Sequence, residues 1–517
     1  MSCKIKRGKN MYSKVKSSTL HGLEAVEVTV ESDVAFGLPS LNIVGLPDTA
    51  IRESKERVRT AIANSGFSFP DKRVTVNLSP ADVRKVGTHF DLPIAVCILE
   101  SSARKESRAN SFAFLGELAL DGKLNPVKGI MPMLTGLRDC GTAGIIIPAE
   151  NSTEASLIDG VDIYPAETLR DVIEFIRDEK PLERVIFDPS AFINDHSASH
   201  DFADVAGQES AKRALQAAAA GMHNVLMIGA PGAGKTMLAR RLPSVMLPMT
   251  YEERLEVTKI QSVYGDMPDG QALASERPFR APDHTVSPAA LIGGGRPIKA
   301  GEVTLAHLGI LFLDELPEFS RAAIESLRKP MEDEQCAVSR VSGKIVFPSK
   351  FLTVCAMNPC PCGFYGDSRN ECTCAPGDVT RYRAKLSGPF LDRIDMTVNL
   401  HVPDIEAVKN RSKGISSAEL RADVECACSI QKKRFRYDNI SFNSQMKSEH
   451  IKKYCILDTQ AAELLNEAYN RMKLSIRSYD RILRVSRTLA DLEGSSRIDI
   501  RHIAEAISYK CEKEIFR

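Results

Sequence analysis

Residues 229–236 read GAPGAGKT, the spacing G-x-x-x-x-G-K-[ST], between the apolar run NVLMI and a stretch that opens as a helix through Met237, Leu238 and Leu242. Glycines so placed let the backbone curl until its N–H groups face a phosphate, and a helix start adds partial positive charge. The chemistry this predicts is triphosphate binding. Gly229, Ala230, Pro231, Gly232, Ala233, Gly234 and Met237 form the cradle, Lys235 reaches the β- and γ-phosphates, and Thr236 ligates Mg²⁺. Downstream, GILFLDE is an apolar strand ending in carboxylates. Asp314 suits the Mg²⁺ shell and Glu315 suits polarising an attacking water. The strand FLTVCAMN delivers Asn358, whose amide could bond that water or the γ-phosphate; a turn-forming Asn before Pro359 is the plainer alternative.

A second constellation follows at once. CPCGFYGDSRNECTC holds Cys360, Cys362, Cys372 and Cys374 as two C-x-C pairs. Four thiolates so close, with Gly363, Gly366 and Asp367 permitting a tight reversal, can close a tetrahedral Zn²⁺ knuckle, structural because no ligand position is left for water. C-x-C departs from the commoner pair spacing, so reduced free thiols or a redox pair are the alternatives.

These residues need a scaffold. At ~150 residues per domain, 517 residues predict about three domains. With 43% hydrophobic and 26% charged residues the chain reads as globular rather than disordered or fibrous. Lys plus Arg number 68 against 67 Asp plus Glu, so a nucleic-acid partner must be held by local basic surfaces. No apolar run approaches the ~18 to 20 residues of a membrane span, and thirteen cysteines suit a reducing compartment, so a cytoplasmic protein without membrane contact is expected. Residues 1–20 read as a frayed basic arm, 21–178 as a mixed α/β domain and 179–200 as a linker with two prolines. Across 201–402 strand and helix patterns alternate, predicting a parallel sheet covered by helices, and 403–517 is all helical.

DFADVAGQESAKRAL, GILFLDE, AMNPCPCG and GPFLDRID resemble an AAA+ ATPase of the magnesium-chelatase-like group, specifically the ComM/YifB family of bacterial proteins. The likeness runs from residue 21 to the C-terminal helices. It implies a hexameric ring with ATP at subunit interfaces and, for ComM-type members, a DNA helicase driving branch migration while transforming DNA is integrated. It places an arginine finger, offered to a neighbour's ATP, at Arg393. In SIRSYDRILRVSR, which sets Arg477, Arg481 and Arg484 on one helix face, it suggests Arg477 as the second sensor, with Arg484 competing. Arg481 reads equally as a phosphate contact or a solvated charge. The knuckle would then brace the loop between nucleotide and ring pore.

Two inserts look like the pore-facing elements of the chelatase-like class. PDHTVSPAALIGGGRPIKAGE carries Arg296 and Lys299, and the predicted hairpin CAVSRVSGKIVFP carries Arg340 and Lys344; these four could grip a DNA backbone or be ordinary solvated loop charge. His284 reads as a loop or core histidine. SPADVRKVGTHFDLPIAV with FLGELALDGKLNPVKGIMPML resembles the Lon-type protease fold, yet His89 stands at the serine nucleophile's place and Met131 at the lysine base's. Without a hydroxyl and a base there is no peptidase. Lys72, Arg73, Arg84 and Lys85 are left as DNA contacts or a solvated face. The expectation is therefore a multidomain α/β protein: a Lon-protease-like α+β N-terminal domain, an AAA+ P-loop domain with chelatase-type inserts and an all-α lid. Its expected work is that of an ATP-driven ring motor on DNA. The alternative is a magnesium-chelatase-type motor subunit powering metal insertion into a tetrapyrrole, and a third reading is a non-enzymatic scaffold that uses nucleotide only to assemble.

Overall fold

The structure, a computed structural model, describes residues 11–103, 107–187, 200–264, 273–295, 298–340, 343–367, 369–402 and 414–509. Two compact units emerge, one from residues up to 195 with 251–275, the other from 196–250 with 276 onward.

The first unit is built on a seven-stranded sheet. Its strands are β1 (Tyr12–His21), β2 (Glu24–Ala35), β3 (Ser40–Val44), β4 (Arg73–Ser79), β5 (Phe112–Phe114), β6 (Gly144–Pro148) and β7 (Asp162–Ala166), in the order β3-β4-β2-β1-β5-β6-β7. Alternation of valines along β2 and β4 buries Val28, Val30, Val74 and Val76 on one face, where α1 (Thr49–Asn64) and the apolar α2 (Asp91–Ser102) cover them. Asp48 caps α1, its carboxylate accepting from the Ile51 N–H at 2.9 Å. On the other face α3 (Ile130–Asp139) and the short α4 (Ser152–Ala155) join a second core with Ile145, Ile147 and Ile163.

Two expectations change here. Residues 12–20 are no frayed arm, because β1 runs antiparallel to β2 over Tyr12–His21 and parallel to β5, inside the sheet. Ser17, Ser18 and Thr19 are buried, Lys16 pairs with Glu27 at 3.0 Å and the Ser18 hydroxyl donates to Val26 O at 3.3 Å, so residues that looked solvated lie within the sheet. Residues 251–275, read as part of the ATPase core, belong to the first unit. The helix Tyr251–Tyr264 packs Leu255 on the α3 core, and Ser262 donates to Glu154 at 2.7 Å.

The second unit holds five parallel strands, β8 (Val225–Gly229), β9 (Phe279–Arg280), β10 (Ile310–Leu313), β13 (Leu352–Met357) and β14 (Met396–Leu400), ordered β9-β10-β13-β8-β14. Strands β11 (Gln335–Arg340) and β12 (Gly343–Pro348) form the expected antiparallel hairpin. The near-continuous apolar runs of β8, β10 and β13 fit strands buried on both faces, with α5 (Glu209–Gly221) and α6 (Lys235–Arg241) against them. The C-terminal helices α7 (Ser417–Arg434), α8 (Thr459–Arg471), α9 (Ile476–Leu492) and α10 (Ile500–Ser508) share this hydrophobic core through residues such as Val424, Leu465 and Leu489. Ser416 and Glu419 form a capping box that starts α7.

Candidate nucleotide site

Parallel pairing fixes the site before any side chain is considered. Leu226 and Leu313 both stand opposite Cys355, the first its Cα partner across β8 and β13, the second across β10 and β13. The three strands therefore end on one sheet edge, where ligands of open α/β sheets bind. There the chain turns from β8 into α6 with Gly232 at φ +79° and Gly234 at φ +88°, left-handed values that a side-chain-bearing residue adopts only with strain. Lys235 Nζ donates to the carbonyls of Gly229 at 2.6 Å and Ala230 at 3.1 Å, and to Asn358 Oδ1 at 3.0 Å. The Thr236 hydroxyl donates to Asp314 Oδ2 at 2.7 Å, and Asp314 Oδ1 accepts from the Glu315 N–H at 2.9 Å.

Lys235, Thr236, Asp314 and Asn358 thus meet at one point. Burial pulls the Lys235 pKa below its ordinary value, against the opposing pull of Asp314 and Glu315. A hydroxyl and a carboxylate oxygen converging at 2.7 Å are hard donors that fit Mg²⁺. Glu315, exposed and held at φ +51°, follows directly. Met237 is 38% exposed on the first turn of α6. Sequence reasoning missed Gln208, left-handed at φ +60°, whose amide donates to Ala233 O at 3.0 Å and His401 O at 2.5 Å. It ties the segment before α5 to the cradle; its signal was the Gly207-Gln208 pair ahead of a helix.

Beside the cradle sit the four cysteines. Their sulfurs all lie within 4.8 Å of one another. Cys360 is 3.3 Å from Cys362 and 3.6 Å from Cys372, and Cys362 is 3.5 Å from Cys372. These separations are far beyond a disulfide's ~2.05 Å and close to the ~3.8 Å edge of a tetrahedron with 2.3 Å metal–sulfur bonds. The Phe364 backbone N–H, foremost among its neighbours, holds the Cys362 thiol down at about 6. The donor set fits a tetrahedral thiolate-bound ion.

The arginines gather elsewhere. Arg393, Arg477, Arg481 and Arg484 line a cleft of about 520 Å³ that none of residues 229–236 lines. Arg393 donates to Glu332 at 2.5 Å, to Pro389 O at 2.5 Å and to Arg328 O at 3.1 Å. Arg477 is 79% exposed, 3.8 Å from Asp392. Arg481, by contrast, is neither solvated nor available: it stands 3.6 Å from Asp395 and donates to Asp392 O. Arg484 donates to Ser444 O at 2.7 Å.

Among the residues considered for DNA, Lys85 is excluded, being fully buried with its ammonium bonded to Pro80 O. Lys72 lies over the Phe36 ring at 4.5 Å, Arg73 and Arg84 are exposed, and so are Lys299 and Lys344. Arg296 lies outside the described residues. His89 is buried, its ring Nε2 2.8 Å from Ser18 O, and Met131 is buried in the α3 core.

Three family models match: the magnesium chelatase ChlI subunit over residues 201–408, a ChlI model over 30–151 and the ChlI C-terminal model over 414–510. The competence protein ComM of Haemophilus influenzae is 41% identical over 96% of this chain and 97% of its own length. The protein YifB of Salmonella typhimurium is 41% identical over 95% of both.

The chain belongs to the ComM/YifB family.

As a family member it is a magnesium-chelatase-like AAA+ protein, and that membership suggests an ATPase. Lon protease 2 of Bacillus subtilis is 33% identical over 31% of the chain. Among the described residues no helix is long and apolar enough to cross a membrane.

Proposed function

We propose that this ComM/YifB-family protein is a ring-forming, DNA-directed ATPase, hexameric and acting as a branch-migration helicase. One observation carries the ATPase half of that reading: Lys235, Thr236, Asp314 and Asn358 converge on the cradle while Arg393 lines a separate cleft. Lys235 exchanges its carbonyl acceptors for the oxygens of the β- and γ-phosphates. Thr236 and Asp314 would hold Mg²⁺, which would supply charge neutralisation for the triphosphate. Glu315, at the mouth, accepts a proton from the attacking water, and Asn358 orients it. Lining a cleft apart from its own cradle, Arg393 is read as the finger offered to a neighbour's triphosphate, where such a finger is worth ~10³ to 10⁵ in turnover, and the exposed Arg477 as the second sensor. The four cysteines would hold a structural Zn²⁺.

Membership beside the Haemophilus competence protein favours DNA as the substrate, with Lys299 and Lys344 as exposed charges on the inserts. Three matches to chelatase subunit models favour a second reading, a motor that powers metal insertion into a tetrapyrrole. ATP hydrolysis measured with and without branched or single-stranded DNA decides: severalfold stimulation supports the helicase, whereas indifference to DNA with a response to a porphyrin-binding partner supports the chelatase.

A further inference from the structure

Among its described residues the segment from Asn358 to Ala375 has no regular element, and only Cys360 and Gly363 are buried. It lacks the apolar side chains that would fold it by burial alone. Yet it lies directly on the nucleotide cradle. Gly363 is left-handed at φ +89°, and a methyl group added there would stand 2.5 Å from Pro231 Cδ, in the middle of the P-loop. Gly229 and Ala230 share the wall of a cavity of about 290 Å³ with Gly363, Tyr365 and Asp367 of the same segment. One end of the segment is Asn358, bonded to Lys235. Its other ties radiate from the cysteines: the Tyr365 N–H donates to Cys360 Sγ at 3.3 Å and the Cys362 N–H to Cys374 Sγ at 3.4 Å. Arg383 donates to Pro359 O at 3.1 Å and lies over the Tyr365 ring at 4.8 Å.

We infer that metal occupancy at Cys360, Cys362, Cys372 and Cys374 sets the affinity of the cradle for ATP, because the metal-closed knuckle is what seats Gly363 against Pro231. The ion supplies the folding free energy that this segment cannot draw from a core. Without it the Gly363 reversal leaves Pro231, Asn358 loses its fixed approach to Lys235, and the cradle must be ordered at the expense of binding. This inference rests on the zinc and P-loop assignments proposed above.

The test uses the full-length protein, with metal content measured by elemental analysis and the dissociation constant of a fluorescent ADP analogue measured with Mg²⁺ resupplied. The purified protein carries one zinc per chain. Cys372→Ser with Cys374→Ser loses the zinc and binds nucleotide roughly tenfold more weakly, and added Zn²⁺ restores affinity to chelator-treated wild type but not to this variant. Gly363→Ala keeps the zinc and is weakened to a similar degree, which separates the seat from the ion and does not depend on the serine variant folding. A metal-free variant binding as tightly as wild type, or Gly363→Ala binding unchanged, overturns the inference. Metal-free purified protein overturns it through the zinc assignment. Undiminished binding by Lys235→Ala instead overturns the cradle on which it stands.

Discussion

At the scale of single residues, the roles assigned to Lys235 and Glu315 separate cleanly. Lys235 makes three bonds inside the cradle, so Lys235→Ala removes the cradle's own cation and should abolish nucleotide binding. Glu315 is exposed and proposed to act on the attacking water rather than on the cradle, so Glu315→Gln should lower turnover by about 10² to 10⁴ while leaving nucleotide affinity in place. Paired binding and hydrolysis assays check both, and equal hydrolysis by Glu315→Gln would remove it from the mechanism. His89 makes a different prediction. Burial holds its pKa at about 4, below the ~6.5 of the unfolded chain. Between those values the unfolded state binds the extra proton, so the stabilisation from neutral His89 is complete above pH 6.5 and is lost as pH falls toward 4. Relative to His89→Gln, wild type should lose about 2 kcal/mol between pH 7 and pH 5, read from urea unfolding at both values.

At the scale of elements, the lid is organised by one buried charge. Asp491, on α9, accepts from Arg434 of α7 at 2.6 Å, from Arg487 at 2.9 Å and from Asn443 at 2.9 Å. Asp491 and Arg487 are both almost fully buried. Truncating the carboxylate strands two guanidiniums away from water, and breaking such a pair costs about 3 to 5 kcal/mol. Asp491→Ala should therefore lower the denaturation midpoint of the second unit by that measure, and an unchanged midpoint would show that the network is ornamental to the lid. The sequence alone gives no sign that Arg434 and Arg487 are drawn out of water. Helical spacing shows which residues share a face, but the carboxylate that neutralises them sits on whichever helix the fold brings alongside.

At the scale of the molecule, the trans role proposed for Arg393 would make activity a property of the assembly. Turnover per chain should then rise with protein concentration until the proposed ring is complete. Lys235→Ala and Arg393→Ala, each inactive alone, should regain part of the activity when mixed, since some interfaces then pair an intact cradle with an intact finger. No recovery across mixing ratios would place Arg393 in its own protomer's service. Arg393 is bonded to Glu332 within its own chain, so assembly must redirect a guanidinium that is already satisfied. The inserts belong to this scale too: if exposed Lys299 and Lys344 meet DNA phosphates, DNA stimulation should weaken steeply with salt, and neutralising either lysine should shallow that dependence.

The glycine spacing, the carboxylates after GILFL and the paired C-x-C motifs were legible in the sequence because their chemistry is local: backbone conformation, ligand type and reach are set within a few residues. The alternation of strands and helices that carries them was legible for the same reason. Only the tertiary structure turned residues 12–20 into an inner strand, buried Lys85, sent 251–275 into the first unit and matched Arg481 to Asp395. Each of those outcomes depends on which surface lies opposite, and a charge or hydroxyl written in sequence carries no mark of the partner that removes it from water.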